Sequence, residues 1–140
     1  MKSLSPALLA TTLLIFAGCA VNPQGPDVIG AGSQLEIRQM QTREYDTLDK
    51  RMTLRAVIST LQDLGFTIDR ADLQIGSVTG TRLSAYTMRI TVTVREKGDH
   101  QIAVRANARI DEETVDDPKT YQDFFVALDK AMFLTLNKVD

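Results

Sequence analysis

Tryptophan is absent from the chain, and cysteine and histidine occur once each. A lone cysteine excludes an internal disulfide and any thiolate metal cluster, so the fold must be held by packing. A lone histidine excludes the paired-histidine helix motif of zinc hydrolases, and no glycine-rich phosphate loop is present. His100 falls at a strand start beside a turn and reads as an exposed turn residue. Ser59 lies away from any glycine elbow, and Ser33, Ser77 and Ser84 have no partner that spacing can name. Charge of one sign is also lacking: 16 Lys and Arg against 18 Asp and Glu leave −2. Such a balance makes no basic field for nucleic acid or an anionic membrane. The expectation is a non-enzyme that needs no cofactor and no metal.

What is present begins with an N-terminal address. Lys2 supplies a charged start, Ala7 to Ala17 an apolar core, and Ala17-Gly18 small residues for cleavage ahead of Cys19. The apolar run is interrupted by Thr11 and Thr12 and falls below the ~20 residues that span a bilayer. Leu14-Ile15-Phe16-Ala17-Gly18-Cys19 resembles the lipobox of bacterial lipoproteins, with Phe16 where leucine is commonest. The resemblance implies removal of residues 1–18, acylation of Cys19 (palmitate included) and a bilayer as the first partner. Ala20 in place of an aspartate implies sorting to the outer membrane, with the domain in the periplasm. Residues 19–33 carry Pro23, Gly25, Pro26, Gly30 and Gly32 and read as a flexible tether. Val21 to Ser33 as a coil would hold the domain on the order of 20 Å from the lipid, and at most ~45 Å away when extended.

Residues 34–140 read as one α+β domain, since a chain of this size builds a single core. Leu35 and Ile37 alternate with Glu36 and Arg38, so Leu35 to Arg43 is expected as a first strand. Tyr45-Asp46-Thr47 offers capping oxygens for a helix over Leu48 to Leu64. Leu54, Val57, Ile58, Leu61 and Leu64 form its apolar stripe, and Gly65 is placed to close it. Phe66 to Asp69 and Ile75 to Leu83 suggest a hairpin around a turn at Arg70 to Gln74. Tyr86 to Arg95 has every even-numbered residue apolar, and Ile102, Val104, Ala106, Ala108 and Ile110 continue the alternation. A Lys97-Gly98-Asp99 loop would set Val94 opposite Ile102. Pro118, capped by Asp116 or Asp117, opens a closing helix with Tyr121, Phe124, Phe125, Leu128, Met132 and Leu136 on its apolar stripe. The predicted order is β-α-β-β-β-β-α, an antiparallel sheet of about five strands with both helices on one face.

Two surfaces are candidate partner-binding sites. Opposite the core, Arg89 and Arg95 on one strand neighbour Arg105 and Arg109 on the next. In the expected register Thr91 opposes Arg105 and Thr87 opposes Arg109, which staggers the arginines. Such a face offers forked donors to an acidic peptide or a glycan. On the closing helix, Val126 and Phe133 lie together away from the main stripe and would mark a protein contact if exposed. Asp111, Glu112, Glu113, Asp116 and Asp117 lack the ladder and glycine of a calcium loop and read as a solvated turn.

The helix over Leu54 to Leu64, then Gly65-Phe66-Thr67-Ile68-Asp69 and Gly76-Ser77-Val78-Thr79-Gly80, is similar to the BamC-like helix-grip domains of outer-membrane accessory lipoproteins. The ending Tyr121-Gln122-Asp123-Phe124-Phe125 through Leu128-Asp129-Lys130 resembles that of small Gram-negative lipoproteins. These resemblances imply a helix-grip-like fold and an envelope compartment, and carry no catalytic residues. The expected function is a membrane-anchored, non-enzymatic interaction or accessory module with an envelope protein partner. The alternative is a helix-grip module that binds a lipid or other small molecule between the closing helix and the sheet.

Overall fold

The computed structural model describes residues 28–137, with side chains from residue 34. Cys19 and the apolar run before it lie outside the described residues. The elements are α1 (Val28–Met40), β1 (Thr42–Tyr45), α2 (Lys50–Asp63), β2 (Thr67–Asp72), β3 (Ser77–Leu83), β4 (Thr87–Lys97), β5 (Gln101–Ile110), β6 (Glu113–Thr114) and α3 (Pro118–Leu136). The fold is α+β, with an antiparallel sheet ordered β1-β5-β4-β3-β2 and the short β6 added to β5. No helix among the described residues is long and apolar enough to cross a membrane.

The period-two pattern of β4 and β5 builds the sheet's centre. Met88, Ile90, Val92 and Val94 face Ile102, Val104, Ala106 and Ala108 across one side, all of them buried. On that side α2 lays down Leu54, Val57 and Leu61, and α3 lays down Tyr121, Phe124, Phe125, Leu128 and Met132. Apolar residues three and four apart bring these side chains onto one helix face, so two amphipathic helices cover one side of the sheet. Asp117 caps α3 and precedes Pro118 as expected. Gly65 follows α2 with φ +83°, the left-handed conformation in which a side chain is disfavoured.

Three expectations are corrected. The stretch Leu35 to Arg43 is mostly helix, and the first strand is only Thr42–Tyr45. Two alternating apolar residues are too few to set a period. Gln, Leu, Glu, Arg and Met are all good helix formers, and a helix half-buries Ile37 and Met40 together. The same helix begins at Val28, inside the stretch expected as tether. Third, α2 is capped by Asp49, whose carboxylate accepts the Met52 N–H at 2.8 Å, leaving Asp46 and Thr47 upstream.

The hairpin register also differs, by two residues. Val94 pairs with Val104, Glu96 with Ile102, and the loop is Gly98-Asp99-His100. A shift of two keeps every side chain on its own face, so hydrophobic alternation cannot choose between the two registers. The turn chooses: Gly98 takes φ +61° as the first loop residue.

Candidate functional site: the bare face of the sheet

Because α2 and α3 lie on one side, the opposite side is uncovered by any helix of the described residues. The odd-numbered residues of β4 and β5 point there. In the observed pairing Arg89 stands directly opposite Arg109, Thr91 opposite Asn107, Thr93 opposite Arg105, and Arg95 opposite Ala103. The expected stagger of Arg109 against Thr87 and Arg105 against Thr91 is therefore corrected. The face instead holds two arginine pairs, Arg89 with Arg109 and, diagonally, Arg95 with Arg105.

All four arginines are exposed. Arg109 Nη2 donates to the Glu112 carbonyl at 2.7 Å and lies 3.9 Å from its carboxylate. Glu112 itself is almost fully solvated, so that pairing is weak. Among the described residues, Arg89, Arg95 and Arg105 reach no carboxylate within 4 Å. Like charges directly across a strand pair oppose each other, so the Arg89–Arg109 juxtaposition costs up to about 1 kcal/mol in the isolated domain. A trough of about 520 Å³ lies at Arg95 and Arg105, over Thr91, Thr93, Ala103 and Asn107, extending to Thr42 on β1. The acids of this face stand at its margins. Glu44 on β1 is engaged by Lys97, Asp69 on β2 accepts the Thr81 hydroxyl at 2.6 Å, and Asp72 accepts the N–H groups of Gln74 and Ile75.

One of these arginines is tied to the interior. Arg105 Nη2 donates to Gln41 Oε1 at 3.3 Å. Gln41 is buried, and its Nε2 donates to the Tyr121 hydroxyl at 3.1 Å. That hydroxyl donates to the Val115 carbonyl at 2.6 Å and accepts the Ala108 N–H at 3.3 Å. The chain Arg105–Gln41–Tyr121 thus links the bare face to the start of α3. Sequence reasoning placed Tyr121 on the apolar stripe and missed its hydroxyl. The signal was available, since a buried tyrosine requires a hydrogen-bond partner. Gln41, inside the stretch expected as strand, gave no such signal.

The edge strand β1 is clamped to α3. Arg43 Nη1 meets Asp129 Oδ2 at 2.5 Å, and the Tyr45 hydroxyl donates to Asp129 Oδ1 at 2.8 Å. Arg43 also stacks over the Phe125 ring, 4.9 Å from its centroid. Burial, and then the bond to Asp129, push the Tyr45 hydroxyl well above its ordinary pKa, so it stays protonated through the neutral range.

Val126 and Phe133 on α3 are both exposed, at 59% and 63%. They lie outside the groove of about 550 Å³ between α2 and α3, whose walls include Ala56, Ser59, Ala127 and Ala131. His100 is exposed in the β4–β5 turn. Asp111 to Asp117 surround the open turn around β6, and no group of three or more His, Cys, Asp or Glu converges among the described residues.

For the lipid-binding alternative, the place to look is between α3 and the sheet. Leu128 and Phe124 are buried in packed core. The cleft that Phe124 does line, with Phe66, Met88, Ile90 and Ile110, encloses about 150 Å³. Small-molecule sites typically offer ~300–1,000 Å³, so this cleft falls short of a lipid chain. Arg82 fills its mouth, stacked 4.9 Å over Phe66 and donating to the Leu64 carbonyl at 3.1 Å.

No protein-family model matches the chain, and no curated protein matches it.

Proposed function

We propose that this chain is a membrane-anchored, non-enzymatic accessory module of the cell envelope that holds a protein partner on the bare face of its sheet. The observation that carries this reading is the face itself: three exposed arginines without an acidic partner among the described residues, beside a shallow trough over Thr91, Thr93 and Asn107, on the side both core helices leave open. Arg105 is tied to buried Gln41, but strand formation does not demand arginine at Arg89 or Arg95, where threonine would suit the strand equally well. The lipobox resemblance at Cys19 supports attachment to the outer membrane through acyl chains, and the likeness to BamC-like accessory lipoproteins supports an envelope assembly as the setting. The lipid-binding alternative is weakened by the packed interior and the small cleft at Phe124.

Photocrosslinking in intact cells tests this reading. A photoreactive residue at Thr93, in the trough, is expected to give one discrete protein adduct that Arg105→Glu removes. Adducts only from Ser59, in the α2–α3 groove, or from Phe133 would move the docking surface to the helical side. In parallel, Cys19→Ser is expected to shift the protein from the membrane to the soluble fraction. Retained acyl labelling of that variant would sink the anchor.

A further inference from the structure

We infer that the ligand of the bare face is an extended peptide segment carrying carboxylates four or six residues apart, one for each arginine pair. The inference rests on the docking face proposed above and adds its chemistry. A strand rises about 3.4 Å per residue, so Arg105 and Arg109 on β5 are about 14 Å apart, and Arg89 and Arg95 on β4 about 20 Å apart. Side chains of an extended peptide return to one face every second residue. Acids four or six positions apart therefore match these spans, and acids two apart do not.

Within each pair the backbone positions are near enough for two long arginine side chains to reach one carboxylate. Arg89 and Arg109 are direct cross-strand neighbours, and Arg95 and Arg105 are diagonal ones, about 7–8 Å apart at the backbone. Guanidinium binds carboxylate through two parallel hydrogen bonds, and an anion between Arg89 and Arg109 relieves their mutual repulsion. To engage it, Arg109 gives up its 2.7 Å hydrogen bond to the Glu112 carbonyl or shares that donor, while its carboxylate contact with Glu112 is loose. The trough at Arg95 and Arg105 extends over Thr91 and Asn107 toward the Arg89–Arg109 pair and leaves room for linking residues.

Other anionic occupants fit less well. Glu44, Asp69 and Asp72 stand on the margins of this same face, so a flat acidic bilayer laid across it would meet carboxylates on both sides of the arginines. A narrow chain running along β4 and β5 meets only the central arginines. An acidic polysaccharide would gain most from aromatic rings to stack on, and no aromatic residue of the described strands lies on this face.

The test is fluorescence anisotropy with the full chain in non-ionic detergent and labelled seven-residue Ser/Thr peptides, each containing two glutamates. With glutamates four apart, binding is expected to be at least tenfold tighter than with glutamates two apart. Arg105→Glu and Arg109→Glu should each weaken the four-apart peptide at least tenfold, while Arg55→Glu on α2 leaves it unchanged. Circular dichroism and thermal melts of each variant separate lost binding from lost folding. Equal affinity for both spacings, no binding of either, or preference for a polyuronate or for phosphatidylglycerol vesicles over the peptides overturns the inference. If crosslinking from Thr93 still traps a protein in such a case, the docking face stands and only the ligand class falls.

Discussion

The two faces of β4 share one backbone and one set of ladder bonds, yet they are specified in different ways. On one face Met88, Ile90, Val92 and Val94 are buried to within 4% of complete enclosure. On the other, Arg89, Thr91, Thr93 and Arg95 stand under no helix. The first face is dictated by the need to hide apolar surface, and any change there is felt in stability. The second is free of that demand, although Arg105 is tied to the interior through Gln41. Packing therefore specifies the first face closely and the second only loosely.

Substitutions on the two faces should therefore diverge sharply. Ile90→Ala is expected to cost about 2–5 kcal/mol in chemical denaturation, through lost burial and the cavity left behind. Arg95→Ala, on the same strand but the other face, should stay within about 0.5 kcal/mol of the parent. Equal losses would mean that the bare face is structural after all.

Tyr121→Phe probes the hydrogen-bonded chain that runs from the bare face to α3. Removing the hydroxyl strands Gln41 Nε2, the Val115 carbonyl and the Ala108 N–H in the interior, at a cost of about 2–3 kcal/mol. An unchanged melting temperature would show that the Arg105–Gln41–Tyr121 chain does not hold the faces together.

Smaller effects sharpen the core side. Thr60 is buried on α2, and its hydroxyl has no hydrogen-bond partner among the described residues. Thr60→Val keeps the shape and removes the stranded group, so a gain of about 1 kcal/mol is expected. A loss would mean that the hydroxyl is satisfied in solution.

Tyr45 gives a pH signature at the β1 edge. Its folded pKa is raised, so the folded state holds the phenolic proton more tightly than the unfolded chain does. The stabilisation is therefore complete below the ordinary tyrosine pKa of ~10 and declines as pH rises above it. Tyr45→Phe should lose less stability than the parent between neutral pH and strongly alkaline pH, as read by denaturant midpoints. Parallel pH profiles would dissolve the clamp with Asp129.

Much of this contrast was legible in the sequence. The strict alternation of Tyr86 to Arg95, the stripe of α2 and the Pro118 start of α3 define the sheet, the covering helices and the side left bare. The register was not legible, because a two-residue slip preserves every face. It was that slip which turned staggered arginines into the opposed Arg89–Arg109 pair. Helix α1 was hidden because the alternation of Leu35 and Ile37 mimics a strand, while the helical pair is Ile37 with Met40. The links from Arg105 to Gln41 and from Arg43 to Asp129 span dozens of positions, and no local pattern announces contacts of that range.

The most direct measurement is amide chemical-shift mapping of the isotope-labelled full chain in detergent micelles, titrated with the peptide whose glutamates lie four apart. The largest shifts are expected at Arg89, Thr91, Thr93 and Arg95 of β4 and at Arg105, Asn107 and Arg109 of β5. Shifts centred on Val126 and Phe133 of α3, or on the α2–α3 groove, would contradict the account.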